Sequence, residues 1–325
     1  MRLRSFCLMT TATALALAAP AWAHRQWLLP STTITSGPDD WVTVDAAVSN
    51  DLFYPDHFPM RLEGVKVWAP DGTPSVLQHA GTGRYRSTFD VRLDKPGTWK
   101  IGTANSGISG SFMVDGQEWR LGGRGGPPGG GGPGGGPGGP GAAGEEEAAP
   151  GGAGGPGMGN QAGGPGGPGG PAGPRPRRPS VATVADIPAN ATDVKLTESS
   201  GRNEIFVTNG APTTTVFKPT GKGLEFSPIT HPDELVTDEV ARFAFLVDGK
   251  PAANLKVILI PGGKRYRDDE GAIELTTGAD GIVSVKWPMA GMYWLNTSLT
   301  DTHPESPRAT QRRMSYTATL EVMAP

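Results

Sequence analysis

Val240-Ala241-Arg242-Phe243-Ala244-Phe245-Leu246-Val247-Asp248-Gly249-Lys250-Pro251 sets the fold class. Its first eight residues are β-branched, aromatic and apolar with a partial alternation, the pattern of a half-buried strand. Asp248-Gly249 then supplies the turn chemistry of a hairpin, because Gly and Asp tolerate the left-handed backbone that such turns need. The next strand is Leu255-Lys256-Val257-Ile258-Leu259-Ile260, and Ala279-Asp280-Gly281 turns the chain again before Ile282-Val283-Ser284-Val285-Lys286-Trp287. Gly291 to Leu299 and Ser315 to Val322 continue the series, and Gly223 to Ile229 opens it. About seven short strands in about 100 residues predict an immunoglobulin-like sandwich over 221–325.

Working back toward the N-terminus, the same signal returns over 24–121. Trp41 to Val48, Val65 to Trp68, Tyr85 to Val91, Gly97 to Gly102 and Gly110 to Val114 read as strands broken by Gly, Pro and Asp. No segment there carries a helical period with caps. The expected fold class is therefore all-β, with two tandem immunoglobulin-like β-sandwich domains.

Between them lies a change of composition. Of the 49 Gly and 32 Pro of this 325-residue chain, 28 Gly and 13 Pro fall in 122–179. Such a stretch has almost nothing to bury and nothing to offset the entropy of ordering it, so a disordered Gly/Pro-rich low-complexity linker is expected. It lacks a strict Gly-x-y period, which argues against collagen. It has no strand–loop–helix context and no following Lys-Ser/Thr, which argues against a phosphate-binding loop. Residues 180–220 form a bridging segment in which Asn203-Glu204-Ile205-Phe206-Val207-Thr208 reads as one strand. That strand either completes the first sandwich or leads to the second.

The first 23 residues read as a secretory signal peptide. Met1-Arg2-Leu3-Arg4 is positive, Phe6 to Ala19 is apolar, and Ala21-Trp22-Ala23 is a small-x-small cleavage site. Cleavage there would remove Cys7, the only cysteine, leaving no thiol and no disulfide. It would also remove two arginines, taking the formal net charge from −3 to −5 (−3 less 2). A mildly acidic chain is a poor partner for nucleic acid or anionic lipid. No later apolar run reaches the length of a membrane span. A periplasmic location is the expectation.

That cleavage would leave His24 at the mature N-terminus, with an α-amine and an imidazole on one residue. Together they close a chelate, and nitrogen donors suit Ni, Co, Cu or Zn better than Mg or Ca. The chain has five histidines and no HExxH, CxxC or close His pair, so a zinc-protease or finger site is excluded. His57, in Tyr54-Pro55-Asp56-His57-Phe58-Pro59, is the first candidate for a further ligand. Asp56 could ligate or orient an imidazole from outside. His231, in Thr230-His231-Pro232-Asp233, is the second candidate. His79 and His303 read as exposed loop residues. The alternative for His24 is a frayed terminus with no role.

Trp27, Trp41, Trp68, Trp99, Trp119, Trp287 and Trp294 are expected to pack in the sandwiches, a carbohydrate platform being the alternative. Lys264-Arg265-Tyr266-Arg267-Asp268-Asp269-Glu270 reads as a solvated hairpin loop. No Gly-x-Ser-x-Gly elbow is present. No catalytic residue and no organic cofactor are expected.

Three stretches carry a resemblance to a known family. They are His24-Arg25-Gln26-Trp27-Leu28-Leu29-Pro30; Gly221 to Ile229 followed by Phe245 to Ala252; and Ser315-Tyr316-Thr317-Ala318-Thr319-Leu320. In that order the chain resembles the bacterial periplasmic domain-of-unknown-function family 4198, associated with nickel and cobalt uptake. The Gly/Pro insert departs from the family pattern. The resemblance implies tandem β-sandwiches, a periplasmic location and non-catalytic handling of a divalent transition metal, with a metal-uptake transporter in the membrane as partner. Two readings stand beside it. One is an interaction module without metal. The other is a copper enzyme with an N-terminal histidine brace, which needs two imidazoles to converge.

Overall fold

The computed structural model describes residues 24–122 and 178–325. The expected signal peptide and nearly all of the Gly/Pro-rich insert lie outside the described residues. What is described is all-β, as the alternation predicts. In the N-terminal half the strands are β1 (Arg25–Pro30), β2 (Ile34–Thr35), β3 (Asp40–Ser49), β4 (Phe58–Pro59) and β5 (Val65–Trp68). They continue as β6 (Pro74–Ser75), β7 (Gln78–Thr82), β8 (Ser87–Leu93), β9 (Gly97–Val114) and β10 (Gln117–Leu121). After the insert come β11 (Ser180–Val181) and β12 (Thr192–Asn209). The C-terminal half holds β13 (Leu224–Pro228), β14 (Val240–Val247), β15 (Lys250–Pro251), β16 (Lys256–Pro261) and β17 (Ile273–Thr276). It ends with β18 (Ile282–Lys286), β19 (Gly291–Asp301) and β20 (Gln311–Val322).

These strands form three sheets, and the middle one belongs to both halves. Its order is β11-β10-β9-β12-β20-β19-β16-β17, with β5 added on β9. An N-terminal sheet of order β1-β3-β8-β7 covers one part of it, and a C-terminal sheet built from β13, β14, β15 and β18 covers another. Each cover is a layer packing of sheet on sheet. Leu28, Val44, Phe89 and Val91 of the N-terminal sheet meet Trp99, Ile101, Ile205 and Val207 of the shared sheet. Phe226, Phe243, Phe245 and Val283 of the C-terminal sheet meet Phe206, Val257, Tyr293 and Tyr316 of the shared sheet.

β12 is the strand on which both cores close. Successive strand side chains point to opposite faces. Thus Ile205 and Val207 enter the N-terminal core while Phe206, between them, enters the C-terminal one. Its neighbours differ in direction: β9 runs antiparallel to it along most of its length, and β20 runs parallel to it from Thr197↔Gln311 to Ile205↔Thr319. Gly102 permits the close approach of β9, since a Cβ there would lie 2.5 Å from the Asn203 carbonyl oxygen. β1 crosses the seam between the halves. Thr319 Oγ1 donates to the Leu28 carbonyl at 2.6 Å, and Trp27, Ala47, Leu52, Ile260 and Trp294 form a small core of their own there.

A buried polar chain fastens the same seam. The Asp233 backbone N–H donates to His231 Nδ1 at 3.1 Å, which leaves the proton of a neutral ring on Nε2. Nε2 reaches Thr98 Oγ1 at 3.0 Å and the Thr213 carbonyl at 3.3 Å. Thr98 Oγ1 lies 2.9 Å from Thr208 Oγ1, whose hydroxyl donates to Asp233 Oδ2 at 2.5 Å. Burial pushes the Asp233 carboxyl up to about 7, with Glu321 and Glu234 adding to the shift and the Thr208 hydrogen bond opposing it. Burial lowers His231, opposed by the Thr213 carbonyl and Glu234. Thr98 and Thr208 lie on β9 and β12, so this chain of hydrogen bonds holds the 231–233 turn onto the shared sheet.

Two outcomes follow. Because β12 feeds both cores, Phe206→Ala and Val207→Ala should each destabilise by about 2–5 kcal/mol. Both halves should lose structure in one transition, read by urea melts with probes in each half. For Asp233, a raised folded pKa means the folded state holds the extra proton. Its stabilising contribution is present below the unfolded value of 3.8 and is lost as pH rises through about 7. The stability of the natural protein relative to Asp233→Asn should therefore decline across that window, by at most about 1.4 kcal/mol per pH unit. A difference that stays flat with pH would refute the assignment.

Candidate functional site

The site is built where β1 and β4 meet the same end of β3. Gln26 of β1 and Phe58 of β4 both lie opposite Val48, one on either side of it. His24 stands just ahead of β1 and His57 just ahead of β4, so the register brings two residues 33 apart in sequence (57 less 24) to one end of one strand. The turn from Ser49 to His57 is held from within. Trp27 Nε1 donates to Ser49 Oγ at 2.6 Å, and that hydroxyl donates to the Asp51 carbonyl at 2.6 Å. Asp56 Oδ1 accepts the Asn50 N–H at 3.0 Å. Phe53, in the left-handed region at φ 63°, sets its ring edge-on to Trp27 at 5.8 Å.

There the two imidazoles stack. Their centroids are 3.7 Å apart and their planes differ by 16°. Phe58 closes one side, 4.6 Å from the His57 ring and 6.1 Å from that of His24. Both histidines are half-buried. Burial lowers the His24 pKa, the His57 ring beside it lowers it further, and Asp56 pulls the other way. The physical reason is that a second cation so close would be repelled while water is partly excluded. His24 therefore stays neutral, with a nitrogen lone pair, to lower pH than a free imidazole. A metal ion needs that form.

Each lone pair lies in the plane of its ring. Stacked rings hold those planes apart, so one ring must turn before both nitrogens can address one ion. Among the described residues no group of three or more His, Cys, Asp or Glu side chains is placed to hold a metal. Asp56 is exposed, engages the Asn50 N–H and enters as the acidic neighbour of His24. The side chains thus offer two nitrogen donors with one carboxylate nearby.

His231 is elsewhere engaged, in the buried chain with Thr98, Thr213 and Asp233. His79, on β7, is exposed, with Nδ1 2.9 Å from Asp90 Oδ2 and its ring 5.6 Å from that of Trp41. Trp41 is 43% exposed, unlike Trp27, Trp99 and Trp287, which are buried as expected. The backbone N–H of His303 donates to Asp301. The residues that the sequence did not point to belong to the Lys264–Glu270 run. It is the largely exposed loop of the β16–β17 hairpin, as expected, and it also reaches across the seam through Arg265 to Asp51 and through Glu270 to Arg25. The available signal was the sign pattern: three cations followed by three acids, in a stretch that meets Asp51 and Arg25.

No helix among the described residues is long and apolar enough to cross a membrane. No curated protein matches the sequence. Among solved structures the chain is similar to trypsin-activated alpha-2-macroglobulin from Escherichia coli at 13% identity, over 92% of this chain and 16% of that one, with a TM-score of 0.19. It is also similar to Escherichia coli alpha-2-macroglobulin activated by porcine elastase at 11% identity, over 91% of this chain and 31% of that one, with a TM-score of 0.18. The chain thus spans less than a third of either protein, at 16% and 31%. The family comparison covers far more of it. Residues 21–301 match the model of the domain of unknown function DUF4198, and the chain belongs to that family.

Proposed function

We propose that the protein is a periplasmic, non-catalytic carrier of a divalent transition metal, nickel or cobalt first, held at His24 and His57. The observation that carries this reading is the 3.7 Å approach of the two imidazoles. Two side chains supply too few donors for a retained ion. Removal of residues 1–23 would add a third, the α-amine of His24, and would make ligation depend on processing. Such a set of three nitrogens favours Ni, Co, Cu or Zn over Mg or Ca. Asp56 supplies compensating charge or a fourth, oxygen donor after a side-chain rotation. The likeness of the mature start to that of nickel- and cobalt-uptake proteins supports a role as donor to a membrane transporter, with the metal as cargo.

The same convergence supports a second reading, a copper enzyme in which the N-terminal residue and a second histidine brace the ion. Both readings use the same atoms and differ in what the bound ion does. An interaction module without metal is the third.

One set of titrations separates them. The protein is produced with its own leader, and mass spectrometry identifies the first residue. Ni, Co, Cu and Zn are then titrated into it, into a form with one residue added ahead of His24, and into His57→Ala. Both alterations should weaken binding by more than the roughly 10–100-fold typical of changes outside the ligand shell. Equal affinity in all three forms would sink the site. Peroxide-dependent turnover by the copper form would select the enzyme, and no binding of any metal would select the interaction module. Affinity should also fall as the medium is acidified, since the donors must shed protons.

A further inference from the structure

The two segments that bear the imidazoles are tied to one and the same turn of the C-terminal half. Arg25, next to His24, sets its guanidinium against the Glu270 carboxylate, Nη1 on Oε1 and Nη2 on Oε2 at 3.0 Å. The same guanidinium lies 5.5 Å from the centroid of the Trp294 ring, whose Nε1 donates to the Gln26 carbonyl at 3.1 Å. On the other segment, Arg265 Nε donates to Asp51 Oδ2 at 3.3 Å, and its guanidinium carbon lies 3.2 Å from the centroid of the Tyr54 ring. Gly262 receives Phe53 so closely that a Cβ there would lie 2.7 Å from Phe53 Cδ2.

The turn itself is fixed from inside. Arg267 donates to the carbonyls of Gly262 at 2.7 Å, Pro261 at 3.0 Å and Glu270 at 3.3 Å. Arg265 and Glu270 therefore leave one braced loop in two directions, one toward the 49–57 turn and one toward the start of β1. A two-pronged Arg–carboxylate pair fixes orientation as well as distance. Isolated surface ion pairs add little stability. Their geometric effect is the larger one here, because each link ends within a few residues of an imidazole.

We infer that the Pro261–Glu270 turn is a positioning element for the paired imidazoles. Glu270, through Arg25, and Arg265, through Asp51 and Tyr54, set how closely His24 and His57 approach and with it the affinity of the metal site. The inference rests on the metal reading of that pair for its consequence, and on the cross-seam links alone for its geometry. It assigns the C-terminal half a part in a site whose ligands all lie in the N-terminal half.

The test compares the full chain with Glu270→Gln/Arg265→Gln and with the charge swap Arg25→Glu/Glu270→Arg. The first readout needs no metal: nuclear Overhauser effects and mutual ring-current shifts between the His24 and His57 imidazole protons. These signals should be present in the natural protein, absent from the double variant with little change in melting temperature, and restored in the swap. The second is the Cu(II) dissociation constant, which should rise about 10–100-fold in the double variant and recover in the swap. Rings that stay stacked in the double variant would overturn the positioning role. Rings that separate in the double variant, in a protein whose natural form binds no copper, nickel or cobalt, would overturn the metal reading and leave the positioning of the rings established. If the double variant fails to fold, the single variant Glu270→Gln decides: rings that separate in it support the positioning role, and rings that stay stacked overturn it.

Discussion

The alternation of Ile205, Phe206 and Val207 on β12 is the constraint from which the rest of the architecture follows. One strand has both faces buried, each in a different core, so neither half can be laid down without fixing the other. Such a strand loses the usual polar, solvent-facing rows of an antiparallel sandwich. From Asn203 to Asn209 every residue of it is buried. The parallel ladder to β20 is the costlier half of the arrangement, because parallel strands need long connections. Here more than 100 residues, the whole C-terminal sheet included, intervene between the two strands (310 less 209 gives 101).

Joining the halves through one sheet also determines what lies over the join. β1 pairs with β3 in the N-terminal sheet, yet its carbonyls are taken by Trp294 and Thr319 of the C-terminal half. The end of β1 is thus held on two sides, and His24 inherits that order. A residue that would be the first of a processed chain would fray in most proteins. Behind the ring stacked on His57, the strand is gripped at Arg25, Gln26 and Trp27.

What the sequence reveals and what it hides divide along the range of the interaction. Strands such as Val240–Val247 and Lys256–Pro261 announce themselves because alternation and turn residues are local. His24 and His57 could be nominated by chemistry, since a terminal imidazole and a histidine in a loop-forming segment are visible in one dimension. Their meeting is not local: it needs the pairing of β1 and β4 on either side of β3, which no spacing encodes. The same holds for Asn203–Thr208, which reads as one strand with two destinations and in fact serves both. The Lys264–Glu270 run is the exposed hairpin loop it reads as, but its partners are hidden for a related reason. A string of charges names no partner until the opposite charges of Arg25 and Asp51, more than 200 positions away (265 less 51 is 214), are brought against it. Trp41 shows the reverse, a strand tryptophan left 43% exposed because, among the described residues, no layer covers its face of the N-terminal sheet.

β10 and β11 add a last point. They pair in parallel at Arg120↔Ser180 and Leu121↔Val181, so the two ends that residues 123–177 must join lie one strand spacing apart. The cost of closing such a gap grows only with the logarithm of the length that closes it, about 0.6 kcal/mol for each doubling. The two folded halves therefore ask of the sequence between them little more than that it reach. The paired ends by themselves thus set only a weak limit on the length of what joins them, and a long Gly/Pro-rich stretch meets that limit as well as a short turn would.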